Sequence, residues 1–202
     1  SVWKNYKLAE IKSLVQACAG LFMEATSTQQ QVFPGKNLPM QLSMNQRTNV
    51  QVNLGLVQLP GRDSIFNKTL GVNQNLFWDH NYNIPLTQSI SQPYWLVSPK
   101  TEGMFVVNDQ QLIGQPENDP AFTCKLNVTI ENQLFEFQIP VQYKYVDLTK
   151  GEVHQPIAVV PGQEIKYDKE LHLMNGEKSI PVHYQIINHL GQNESKSFTV
   201  SD

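Results

Sequence analysis

Residues 122–145 read FTCKLNVTIENQLFEFQIPVQYKY, and the fold is decided there. Phe122, Cys124, Leu126, Val128 and Ile130 alternate with Thr123, Lys125, Asn127, Thr129 and Glu131. After the short link Glu131-Asn132-Gln133, a second alternation runs through Phe135, Phe137, Ile139, Val141, Tyr143 and Tyr145. Successive side chains of a strand point to opposite faces, so each run buries one face and wets the other. Two such runs joined by a short polar link predict a long β-hairpin.

The same period extends upstream. Leu38, Met40, Leu42 and Met44 alternate with Pro39, Gln41 and Ser43, and Val50, Val52, Leu54 and Leu56 continue the pattern. The phase slips at Val57 and Leu59, which predicts a β-bulge. Pro34-Gly35 and Pro60-Gly61 punctuate the chain as turns. Several strands without interleaved helices predict a mainly β chain built as an immunoglobulin-like β-sandwich.

One amphipathic helix is expected over residues 6–25. Leu8, Ile11, Val15, Cys18 and Phe22 repeat at three- and four-residue intervals, and Leu14 and Leu21 widen the stripe. Such a stripe must be covered, by the adjacent sheet or by another domain. Downstream, Pro156 and Pro161-Gly162 punctuate the chain, and Leu171, Leu173, Val182, Tyr184 and Ile186 suggest fresh strands. What remains is short for a sandwich of about 100 residues. A small or truncated second β-unit is therefore expected. The division that follows is a linker helix over 1–27, a β-sandwich over 28–154 and a partial second β-domain over 155–202.

Composition narrows the function. The 21 Gln and 17 Asn together outnumber the 15 basic and 18 acidic side chains, so much of the surface is wetted by neutral amides. Amides offer both donors and acceptors, which suits hydroxyl-rich ligands as well as plain solvation. The net charge is −3 without a Lys/Arg cluster, which argues against a nucleic-acid partner. No apolar run approaches the roughly 18 residues of a membrane span. The first residues lack the basic start and apolar block of a signal peptide, so an export signal is expected to lie outside this segment. Cys18 and Cys124 are too few for a disulfide framework, and Cys124, in phase with a strand's apolar face, is expected to be a buried free thiol.

No chemistry-bearing motif emerges. The five histidines, at positions 80, 154, 172, 183 and 189, contain no pair spaced three or four apart, as a helical zinc site requires. Asp147 with Glu152, or Glu102 with Asp109, cannot be distinguished from ordinary surface charge. The chain is expected not to be an enzyme by itself and to hold no metal. Trp78, His80 and Tyr82 alternate and would share a strand face, while Tyr94 and Trp95 follow Pro93. Trp78, Tyr82, Tyr94 and Trp95 are thus the candidate carbohydrate-binding residues, with core packing as the competing role. Asn67, Asn127 and Asn193 head Asn-x-Ser/Thr triplets, relevant only on a glycosylating route.

Read in order, Gln92-Pro93-Tyr94-Trp95-Leu96, Gly103-Met104-Phe105, Leu112-Ile113-Gly114, Pro120-Ala121-Phe122, Val141-Gln142-Tyr143-Lys144-Tyr145 and Gly151-Glu152-Val153 form a recognisable series. They resemble the region downstream of the catalytic domain in large bacterial PIG-L (LmbE-like) N-acetylglucosaminyl deacetylases. Glu10-Ile11-Lys12, Ala17-Cys18 and Glu24-Ala25-Thr26 look like the linker helix before that region, and the strands after Pro34-Gly35 are similar to NEW3-type sandwich domains. The likeness spans roughly residues 6–165. The family's Ala-His-Pro-Asp-Asp-type zinc motif and later His-x-x-His do not occur here. The resemblance implies an accessory, scaffolding segment of an exported (periplasmic or secreted) bacterial protein, whose catalytic domain, elsewhere in the parent chain, would carry the zinc. Its partners would be that catalytic domain and, in the alternative reading as a carbohydrate-binding module, a glycan.

Overall fold

The computed structural model describes residues 2–169, 171 and 181–190. A helix, α1 (Val2–Cys18), precedes strands β1 (Leu21–Ser27), β2 (Gln31–Val32), β3 (Asn37–Gln46), β4 (Val52–Leu59), β5 (Arg62–Thr69) and β6 (Leu76–Asn83). After a long excursion come β7 (Thr123–Ile130), β8 (Gln133–Asp147), β9 (Gly151–Pro156), β10 (Ala158–Val159), β11 (Gln163–Tyr167) and β12 (Tyr184–Asn188). The chain is mainly β, with one helix at the front, as its alternation predicts.

The hairpin at residues 122–145 is β7 and β8, paired antiparallel from Thr123↔Pro140 to Ile130↔Gln133. Its two-residue turn puts both Glu131 (φ 47°) and Asn132 (φ 67°) in the left-handed region, the backbone that matches the twist of a tight hairpin. Phe122, Cys124, Leu126, Val128 and Ile130 are buried, joined by Phe137 and Val141 from β8. Each large apolar side chain so buried contributes about 1.5–3 kcal/mol, and β7 is central to the core.

The strands form one curled sheet in the order β5-β4-β7-β8-β1-β3-β6, with β9 added to β8. The β1–β8 pairing is parallel; the other pairings in this sheet are antiparallel. β8 is the fold line. Its first half pairs with β7; past Pro140, Val141–Tyr143 pair with Ala25–Ser27 of β1, and Gln142–Asp147 pair with β9. Because Gln142 and Tyr143 pair on both sides, β1 and β9 lie on opposite edges of β8.

Curling brings the terminal strands face to face as a β-sandwich. Phe66 of β5 meets Trp78 of β6 edge-on at 5.3 Å, and Arg62 lies 5.3 Å from the centre of the same indole. The expected bulge is present: the pairing of β4 slips between Leu54 and Leu56 against β5 and between Leu54 and Val57 against β7. Beyond β9, β10 pairs with β2, and β11 with β12 forms a separate two-stranded ladder. His172, Leu173 and the Asn193 triplet lie outside the described residues.

The helix expected over 6–25 instead ends at Cys18, and residues 21–27 become β1. Gly20, at φ 62°, stops it. Its N–H donates to Ala17 O (3.0 Å) and the Ala19 N–H to Val15 O (2.9 Å), satisfying the last carbonyls while redirecting the chain. Phe22, counted in the helical stripe, therefore sits on a strand and faces outward. Of the rest of the stripe, Val15 packs against the core, while Leu8, Ile11, Leu14 and Cys18 are exposed.

Candidate functional site

The four candidate aromatics fall into two separate places. Trp78 and Tyr82 alternate on β6, as expected, and share the inward-leaning face. Both are half-buried and packed on the core. Trp78 is flanked by Phe66, His80 and Arg62; Tyr82 meets Phe122 edge-on at 5.9 Å and covers the Pro60-Gly61 turn. His80 Nε2 lies 3.0 Å from Pro60 O, which ties β6 to that same turn. These residues close the two layers.

Tyr94 and Trp95 lie in the excursion between β6 and β7, on a short 3₁₀ turn at Tyr94–Leu96. They meet edge-on at 4.9 Å. Asn118 pins the turn: its Oδ1 accepts from the Tyr94 N–H (3.1 Å) and its Nδ2 donates to Gln92 O. The Tyr94 hydroxyl donates to Gln115 O (3.3 Å). Trp95 lines a cleft of about 500 Å³ between the excursion and Pro156–Ala158, together with Gln88, Gln92, Glu117 and Asp119. The structure thus gives Trp95 an open cleft and Trp78 a packed one-sided niche.

A second polar region was not legible in the sequence. It lies on the outer face of β1, β3, β6, β8 and β9. The Lys144 ammonium bonds both oxygens of Glu24 (2.9 and 3.1 Å) and contacts Glu152, while His154 Nε2 lies 2.9 Å from Glu24 Oε2. Glu24 is largely covered, its side chain 14% exposed, so these partners offset the cost of removing a carboxylate from water. Hydrogen bonding to Glu152, aided by Glu24, holds the Lys144 pKa above the usual ammonium range, and Lys144 in turn holds the Glu152 carboxyl low. Beside this cluster, Gln41 Nε2 donates to Asp79 Oδ1 (2.8 Å). A recess of about 410 Å³ is lined by Thr26, Gln41, Asp79, Asn81 and Lys144. A smaller one of about 160 Å³ includes Phe22, Glu24, Asn45, Asn75, Phe77 and again Lys144.

Of the carboxylates noted in sequence, Asp147 and Asp109 serve turns, while Glu152 pairs with Lys144. Asp147 Oδ1 accepts from the Thr149 hydroxyl (2.6 Å) and N–H (2.8 Å) and from the Lys150 N–H (2.9 Å), closing the β8–β9 connection. Those bonds, the Thr149 hydroxyl foremost, hold its carboxyl below the usual range. Asp109 caps the 3₁₀ turn at Gln110–Leu112 by accepting from Gln111 N–H. Among the described residues, no group of three His, Cys, Asp or Glu side chains is placed to hold a metal ion, and no helix is long and apolar enough to cross a membrane. Compared with known proteins, the chain matches no family model, no curated protein and no solved structure.

Proposed function

We propose that this chain is a non-catalytic accessory β-sandwich that scaffolds the catalytic domain of an exported bacterial deacetylase of the PIG-L type. The single observation that favours this reading is the helix α1. Trp3 (68% exposed), Tyr6, Leu8, Ile11 and Leu14 (64%) are uncovered on an element that packs against the core through Val15 near its end. An apolar helical surface of this kind is suited to lie on another domain. In this reading the hydrolytic zinc belongs to that other domain. The purified chain, supplied with zinc and N-acetylated chitooligosaccharides, is expected to release no acetate. Zinc-dependent release at enzymatic turnover would overturn the proposal.

A second reading, a carbohydrate-binding module, is favoured by the Trp95 cleft, which pairs an indole with amide and carboxylate side chains. It predicts a glycan-dependent change in tryptophan fluorescence that disappears in a folded Trp95→Ala variant. A signal carried instead by Trp78 would count against the cleft.

A further inference from the structure

We infer that the outer face of β1, β3 and β6 is a binding surface for a neutral saccharide chain, seated along the recesses that meet at Lys144. This site is distinct from the Trp95 cleft and does not depend on the docking role of α1.

The inference starts from strand register. Glu24 pairs with Ser43, which pairs with Phe77; one step along, Thr26 pairs with Gln41, which pairs with Asp79. Phe22 pairs with Asn45 in the row on the other side. Alternation puts all these side chains on the outer face. Phe77 is 59% exposed and Phe22 is 40% exposed, each one residue inside the start of its strand. Two strand spacings across and two residues along put the two backbone positions roughly 12 Å apart. Asn45 Nδ2 donates to Asn75 Oδ1, and Asn45 Oδ1 is shielded from solvent without a donor among the described residues.

The chemistry of the face selects the ligand. Lys144 and Arg47, whose guanidinium lies 6.0 Å from the centre of the Phe22 ring, are set against Glu24, Glu152 and Asp79, so no net positive charge is left to hold a phosphate or a nucleic acid. A polypeptide adding as a strand would use the backbone edge of β6, which ends the sheet and pairs only with β3 among the described residues, whereas the groups named here are side chains on the sheet face. A sugar hydroxyl is both donor and acceptor. The face offers the amides of Gln41, Asn75 and Asn81 and carboxylates already held in place by Lys144 and Gln41. The exposed ring of Phe77 supplies an apolar platform for a pyranose face. Because the polar groups are held by one another before binding, little ordering is left for the ligand to impose.

The test is calorimetric titration of the 202-residue protein with neutral hexasaccharides of glucose, N-acetylglucosamine, xylose and mannose. Saturable binding of at least one is expected, weakened about ten-fold or more by Phe77→Ala and several-fold by Gln41→Ala, and unchanged by Trp95→Ala. Phe77 and Gln41 are exposed, so both variants should melt with the wild type. No binding of any of the four at millimolar sugar overturns the inference. So does binding that Phe77→Ala leaves intact, whatever Trp95→Ala does.

Discussion

Treating the folded protein at pH 8 with an aromatic disulfide reagent should modify Cys18 and spare Cys124. Cys18 is exposed at the end of α1, whereas Cys124 is 0% exposed on β7, flanked along its face by Phe122 and Leu126 and paired with Ile139. Burial pushes the Cys124 thiol up to about 12 from an ordinary 9.0. At pH 8 the thiolate fraction then falls from about one in ten to about one in 10⁴, a loss of nucleophile near a thousand-fold before steric closure is counted. One thiol should react within minutes, the second only in denaturant, and Cys18→Ser should leave none reactive in the native state. The same burial has a stability consequence. Its folded pKa is raised, so its contribution is fully present below the ordinary thiol pKa and is lost as pH climbs from there towards about 12. Cys124→Ala removes a sulfur from the packing and should cost about 1–2 kcal/mol in a urea titration. Cys124→Ser should cost more than alanine, because a hydroxyl there would be buried among apolar groups. A second native thiol reacting within about ten-fold of the Cys18 rate would refute the argument, as would serine outperforming alanine.

Two further outcomes follow from particular contacts. Gly61 has φ 73°, and a Cβ there would stand 2.8 Å and 2.9 Å from ring atoms of Tyr82. Gly61→Ala should therefore destabilise the protein by more than about 1 kcal/mol in urea, with part recovered in combination with Tyr82→Leu, and an unshifted midpoint would contradict the placement of β6 over that turn. Asp147, held below the usual carboxylate range by Thr149 and Lys150, contributes stability that is present above that range and lost as pH falls through its lowered pKa. Melting temperatures of Asp147→Asn should fall below wild type at neutral pH and converge with it in acid, and parallel curves would remove the assigned role.

How much was legible can be judged element by element. The β7–β8 hairpin, the β3 and β4 strands and the bulge after Leu54 follow from period-two alternation, a local property that survives whatever the strands pair with. The periodicity carries the helix past its real end because Leu21 and Phe22 keep helical spacing with Cys18, while the stop lies in one left-handed glycine. Alternation places Trp78 and Tyr82 on one face of β6, and there they lie. Alternation could not say that this face turns towards Phe66, Phe122 and the Pro60-Gly61 turn.

The outer groove marks the boundary most clearly. Glu24 lies 120 residues from Lys144 and 130 from His154, and none belongs to a motif. They meet because β1 enters the sheet parallel to β8, with β9 returning along the other side of β8. By itself, the sequence determined which residues seek the interior, since solvent acts on each side chain separately and imposes a period. Only the tertiary structure decided which strands became neighbours. Parallel pairing across long separations carries no local signature, and it is chosen by the collective burial of the whole apolar set.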